Sequence, residues 1–246
     1  KGGREGLIWE RPFRSPHHTT SYAAIVGGGK SPKPGEISLG HYGVLFMDEV
    51  PEYNREVLEA LRQPLEDGVI TVARVQATMT FPAECILVGA MNPCPCGYKG
   101  YPEAKCIGAN ACEKYAGKLS GPLLDRIDLH VTVPRLKPDE LSAVPNGEPS
   151  AVIRERVVAA RARQTARFGQ AKVNAKMSPR ELRETVKMDD ECSEFMKVVA
   201  SRLALSARVF DRLLKVSRTI ADLAGHDEVT KQHLSEAVQY RGAINE

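Results

Sequence analysis

Apolar positions fall into two regimes along this chain. Up to about residue 134 they come as short uninterrupted runs, and beyond residue 150 they recur at helical spacing. Val44-Leu45-Phe46-Met47 is the clearest run. Four consecutive apolar residues predict a strand buried on both faces, as in a parallel sheet covered by helices, and Asp48-Glu49 stand where it should end. Asn54 to Glu66 carries Val57, Leu58, Leu61 and Leu65 at helical spacing, and Gly68 stops it. Val69 to Val72 and Ala77 to Phe81 predict the two strands of a hairpin, with Arg74 and Gln76 near its tip. Cys85 to Met91 reads as another strand, ending in Asn92-Pro93. Ser120 to Arg126 reads as a short helix and Ile127 to Val133 as a following strand. The prolines at 134, 138, 145 and 149, with Gly147, mark a linker. Helices follow: Ser150 to Phe168, then one opened by the capping box Ser178-Pro179-Arg180-Glu181, then one capped by Ser206 and a last one opened by Thr230. On the Ser206 helix, Val209, Phe210, Leu213, Leu214, Val216 and Ile220 fill one broad face. The expected organisation is an α/β core over residues 1–134, a linker over 135–149 and an all-α domain over 150–246.

Composition changes this picture little. With 246 residues, 42% hydrophobic and 26% charged, the chain reads as an ordinary globular protein of two domains. No apolar run reaches membrane-spanning length and no signal peptide is present, so the expectation is a cytoplasmic protein without membrane association. The start at Lys1-Gly2-Gly3, without an initiator Met, suggests a fragment. A net charge of +3 is too small to announce nucleic acid by itself. Residues 1–134 hold 14 Lys and Arg against 15 Asp and Glu, whereas residues 135–246 hold 20 against 16, so basic surface leans to the C-terminal part. Six cysteines in such a chain point to thiols or metal more than to disulfides.

The chemistry gathers at strand ends. In an open α/β sheet ligands bind outside the carboxyl ends of the strands, which delivers Asp48, Glu49 and Asn92 to a cleft. An adjacent Asp-Glu pair suits nucleotide hydrolysis: Asp48 can hold Mg²⁺ and Glu49 can orient the attacking water. An exposed acidic turn is the plain alternative. Gly29-Lys30-Ser31 imitates the end of a phosphate-binding loop. The Gly required five positions before Gly29 is Ala24, however, and Pro32 and Pro34 forbid the helix that must follow. Gly27 to Gly35 is therefore expected as an exposed flexible loop with a turn, and no Walker A motif is present. Arg11 to Ser21 reads as an ordered, proline-bearing loop in which His17 and His18 are ligands or phosphate contacts or, since adjacent side chains diverge, surface or loop-packing residues. Arg74 is a solvated turn residue or a nucleic-acid contact. The arginines at 154, 156, 161, 163 and 167 are a solvated helix face or a DNA contact.

Cys94, Cys96, Cys106 and Cys112 place four cysteines within 19 residues, directly after Asn92. Soft thiolates suit tetrahedral Zn²⁺, and a loop of little apolar content needs a staple. The spacing departs from the paired Cys-x-x-Cys knuckle, so a structural zinc loop and a set of reduced or redox-labile thiols both stay open. Cys85 and Cys192 are expected to take no part.

Gly43 to Glu49, Ala90-Met91-Asn92-Pro93, Gly121 to Asp128 and Ser206-Ala207-Arg208 stand in an order that resembles the magnesium chelatase-like AAA+ ATPases of the ComM competence-protein type. Arg11 to Ser21 and Pro34 to Leu39 resemble them too, so the likeness covers nearly the whole chain. It implies a parallel-sheet AAA+ core of the P-loop type followed by a helical lid, with the Walker A portion missing from the front. It further implies Walker B at Asp48 and Glu49, sensor 1 at Asn92, an arginine finger at Arg126 and sensor 2 at Arg208. The hairpin at 69–82 would face the channel of a ring, a homohexamer in the full-length protein. ATP and Mg²⁺ are the implied cofactors. DNA remodelling in natural transformation, by helicase or branch-migration action, is the implied function. The alternatives are a motor that remodels a protein partner, as in magnesium chelatase, and a piece that alone is an inactive interaction module.

Overall fold

The computed structural model describes residues 10–29, 32–73, 78–97, 108–135 and 147–242. The chain divides into two compact units, Lys1–Arg126 and Ile127–Glu246. Most of the expected linker, residues 136–146, lies outside the described residues.

The first unit opens with β1 (Phe13–Arg14), α1 (Tyr22–Val26), β2 (Gly27–Gly28), β3 (Lys33–Pro34), α2 (Glu36–Leu39) and β4 (Val44–Met47). After a 3₁₀ turn at Val50–Glu52 come α3 (Arg55–Ala60), α4 (Arg62–Asp67), β5 (Val69–Ala73), β6 (Thr78–Pro82), β7 (Ile86–Gly89), α5 (Ala109–Ala116) and α6 (Gly121–Leu124). Three strands make a parallel sheet in the order β1-β4-β7, with Val44 opposite Ile86 and Met47 opposite Gly89. Leu45 and Met47 on one face of β4 are buried among Ile25, Ile37, Val57, Leu58 and Leu123. The other face departs from expectation. Val44 and Phe46 are only half-buried and Phe46 stacks on Phe13, because among the described residues the core lies on one side.

Local sequence explains several further departures. The helix expected over Asn54 to Glu66 is two helices, since Pro64 has no N–H to bond to Ala60 and its ring crowds that carbonyl. Gly68 then closes α4 in the left-handed conformation at φ 67°. The expected β5–β6 hairpin is formed, Val69 opposite Pro82 and Ala73 opposite Thr78, and its tip with Arg74 lies outside the described residues. The segment Gly27 to Gly35 has the expected turn and exposed residues at Gly29, Lys33 and Pro34, but its ends are buried and paired. β2 and β3 pair antiparallel with Gly27 buried, and Gly35 packs so closely on Gly27 and Ile25 that a Cβ would collide with their backbones. Lys30 and Ser31 lie outside the described residues.

The second unit contains α7 (Ser150–Phe168), a 3₁₀ turn at Asn174–Lys176, α8 (Pro179–Thr185), α9 (Asp190–Arg202), α10 (Ala207–Leu223) and α11 (Lys231–Gly242). The capping box at Ser178 and Glu181 is complete, and the Ser206 hydroxyl accepts from the Val209 N–H. Met177, Leu182, Met196, Val209, Leu213 and Leu234 are among the residues of its core. Within it, Asp222 accepts from Arg167, Asn174 and Arg218. No strand forms at Ile127 to Val133: the His130 N–H donates to the Tyr240 carbonyl and Arg241 holds the Ile127 carbonyl, so backbone groups go to α11 and not to a ladder. None of the described helices is long and apolar enough to cross a membrane.

Candidate functional site

The site is built where β4 and β7 end together. Beyond the last strand residues the ladder continues, the Ala90 N–H donating to Met47 and the Val50 N–H to Ala90, so Asp48, Glu49 and the Asn92 segment emerge from the same edge. Glu49 adopts the left-handed conformation at φ 50°, uncommon for a residue with a side chain. Its N–H donates to the Asp48 carboxylate at 2.9 Å, and Pro51 is the second residue of the 3₁₀ turn that follows. The two carboxylates are thereby separated by a sharp bend. Both are exposed, which leaves hard oxygens available to solvent and to a cation such as Mg²⁺.

His18 reaches this edge from the loop after β1. Its Nδ1 lies 3.1 Å from Glu49 Oε2, with the histidine side chain 27% exposed and the glutamate 53%. His17 packs on His18 at 4.1 Å between ring centroids, and Tyr53 meets His18 edge-on at 6.4 Å. The Tyr53 hydroxyl donates to the Pro16 carbonyl, which ties the histidine loop to the 3₁₀ turn. Burial, with the Asp48 carboxylate adding to it, raises the Tyr53 phenol above its ordinary pKa. Sequence reasoning weighed His17 and His18 as ligands or phosphate contacts but favoured loop packing. The missing signal was β1, two residues long and without any periodicity, whose parallel pairing with β4 carries the loop to Glu49.

On the other flank stands Tyr115, also missed. It lies on α5, three residues after Cys112, with its hydroxyl near the Asn92 backbone. Burial first, then the negative charges of Glu52, Glu49 and Cys94, push its phenol pKa up. Lys118 pairs with Glu52 at 3.4 Å and lies over the Tyr115 ring. The thiols of Cys94, Cys96 and Cys112 gather beneath, all within 4.8 Å of one another, and Cys106 lies outside the described residues.

The remaining candidates lie on other elements. Arg126 follows α6 with its side chain 12% exposed; Nε lies 3.3 Å from Glu66, and Nη1 donates to the Pro122 carbonyl at 2.6 Å. In this arrangement the guanidinium rests against its own unit. Arg208 sits exposed in the first turn of α10, in the second unit. Of the arginines on α7, Arg156 pairs with Glu148, Arg163 with Asp227 and Arg167 with Asp222, which commits three of the five to structural partners. A surface depression of about 660 Å³ along α11 and another of about 350 Å³ beside α1 and α4 include none of these candidate residues.

Comparison with known proteins bears on this geometry. Residues 1–141 match the family model described as magnesium chelatase, subunit ChlI, and residues 147–241 match the one for its C-terminal part. The chain belongs to the magnesium chelatase subunit ChlI family. Its fold is accordingly the AAA+ arrangement of an α/β core followed by a helical lid. It is similar to the YifB protein of Escherichia coli, 48% identical over 94% of this chain and 46% of that protein. It is equally similar to the competence protein ComM of Haemophilus influenzae, 46% identical over 96% of this chain and 46% of that protein. The chloroplastic magnesium-chelatase subunit ChlI of Nicotiana tabacum is 24% identical over 87% of this chain and 45% of that protein. The chain thus spans about half the length of the curated relatives it matches.

Proposed function

We propose that the full-length protein is a cytoplasmic, ring-forming ATPase, a homohexamer, that couples ATP hydrolysis to DNA remodelling of the helicase or branch-migration kind. What supports the reading is the meeting of Asp48, Glu49 and the Asn92 segment at one end of two hydrogen-bonded parallel strands, in a chain 46% identical to a competence protein. Asp48 offers an exposed carboxylate for Mg²⁺, which when bound with ATP would neutralise phosphate charge. Glu49 orients and polarises the attacking water, and Asn92 hydrogen-bonds the reacting group from the neighbouring strand. Arg126 acts in trans: its guanidinium leaves Glu66 and stabilises transition-state charge on the adjoining subunit's nucleotide. Arg208 reads the γ-phosphate from the lid, and the β5–β6 hairpin with Arg74 touches the DNA backbone.

The test is ATP turnover by the full-length protein with and without branched DNA, together with strand displacement on the same substrates. Stimulation by DNA and unwinding that depends on ATP support the motor. Turnover indifferent to DNA would favour instead a motor acting on a protein, the reading suggested by family membership shared with magnesium chelatase subunits.

A further inference from the structure

We propose that Cys94, Cys96 and Cys112 form a thiolate centre that takes one zinc ion, and that the bound metal fixes the segment carrying Asn92. The metal half of this inference stands independently of any nucleotide chemistry.

Two elements with no common hydrophobic pattern deliver the three sulfurs to one point. Cys94 and Cys96 lie on a turn closed by the Gly97 N–H donating to the Cys94 carbonyl at 3.0 Å, which folds the two thiols to the same side with Sγ atoms 3.2 Å apart. Cys112 comes from α5, and all three sulfurs fall within 4.8 Å of one another. Zinc bound to sulfur at about 2.3 Å in a tetrahedron sets its ligands about 3.8 Å apart, close to the spacing observed. None of the three is in a disulfide.

A buried cysteine is ordinarily a small hydrophobe filling a core. Cys85 and Cys192 fit that description. Cys85 packs against the core of the first unit and Cys192 lies within that of the second, and burial raises both thiols, Cys192 to about 11. Cys94 and Cys112 are 0% and 6% exposed, yet neither belongs to the apolar cluster of their unit. Two thiols enclosed outside the core, with a third beside them, have the makings of a ligand set and lack the surroundings of a packing one. The three supply three positions of a tetrahedral ion.

The centre is wired to the strand end. Cys94 follows Asn92 by two residues, and on the Cys112 helix side Lys118 pairs with Glu52 of the turn after β4 while lying over the Tyr115 ring. Metal binding therefore joins α5 to the loop after β7 and fixes that loop two residues from Asn92.

The experiment measures metal in full-length protein made without a histidine tag. About one zinc per chain is expected, lost in Cys94→Ser and Cys112→Ser and retained in Cys192→Ser. If the serine variants do not fold, wild-type protein is stripped under reducing conditions and loaded with Co²⁺, where a sulfur-to-cobalt charge-transfer band supports the site. Hydrogen exchange of residues 86–97 should accelerate at least about tenfold on stripping and recover on adding Zn²⁺. Wild-type protein that carries no zinc and gives no cobalt band overturns the site. Unchanged exchange in zinc-free protein overturns the link to Asn92.

Discussion

Replacing Asp222 by Ala removes the carboxylate on which the buried polar cluster of the second unit converges. Arg167 donates to both its oxygens, Asn174 Nδ2 to Oδ2 at 2.8 Å and Arg218 Nη2 to Oδ1 at 3.0 Å. Arg218 is wholly enclosed, its other bonds going to the carbonyls of His226 and Asp227. Arg167, partly exposed, can turn toward water after the substitution, whereas Arg218 is left as a buried charge with no counter-ion. Breaking a buried pair in this way costs about 3–5 kcal/mol. With an m-value of about 2 kcal/mol per M, the urea midpoint should fall by about 2 M. Circular dichroism on the chain measures it, and hydrogen exchange of residues 207–242 locates the loss. The double replacement Asp222→Leu with Arg218→Met should recover most of the stability, since no charge is then stranded. Burial alone would raise the Asp222 pKa, yet the bonds from Arg167 and Asn174 and the charge of Arg218 hold it below its ordinary 3.8. A depressed folded pKa gives stability that is full above the unfolded value and is lost as pH falls through the folded one, so the gap between wild type and Asp222→Asn should narrow below about pH 4. A midpoint shift under about 0.5 M for Asp222→Ala would refute the reasoning, meaning that water relieves Arg218.

Glu49→Gln in the full-length protein should lower ATP turnover by about 100-fold or more while ATP binding persists, because the amide keeps the shape and loses the charge that polarises water; retained turnover would remove Glu49 from the mechanism. Mixing Arg126→Ala subunits with Glu49→Gln subunits should restore activity at interfaces that keep both groups, and no restoration at any ratio would count against action in trans. Gly35→Ala should destabilise the first unit by about 1–3 kcal/mol, read as a melting temperature lower by at least about 2 °C, since the new Cβ meets backbone atoms of Gly27 and Ile25 that have nowhere to turn. An unchanged melting temperature would mean that the β2–β3 hairpin is not the packed element described.

Strong local signals determined much of this protein without reference to any contact. The run Val44 to Met47 wrote a strand, and the acidic pair after it had to fall at that strand's end. Ser178 and Ser206 carried helix starts in their side chains, and Gly68 carried a stop, because caps and terminators act within a few residues. Tertiary structure decided what depends on partners far along the chain. β1 is two residues long and exists by pairing with β4, so nothing local announced it, nor the delivery of His18 to Glu49. Ile127 to Val133 alternates like a strand, yet its backbone groups are bound by Tyr240 and Arg241 more than a hundred positions away. The gathering of Cys94, Cys96 and Cys112, which no regular spacing encodes, came from a tight turn meeting a helix. Tyr115, an unremarkable aromatic in the sequence, is brought near the Asn92 backbone by that same helix. Periodicity and capping are short-range physics and are legible in one dimension; which loops meet at an active edge is set by packing in three.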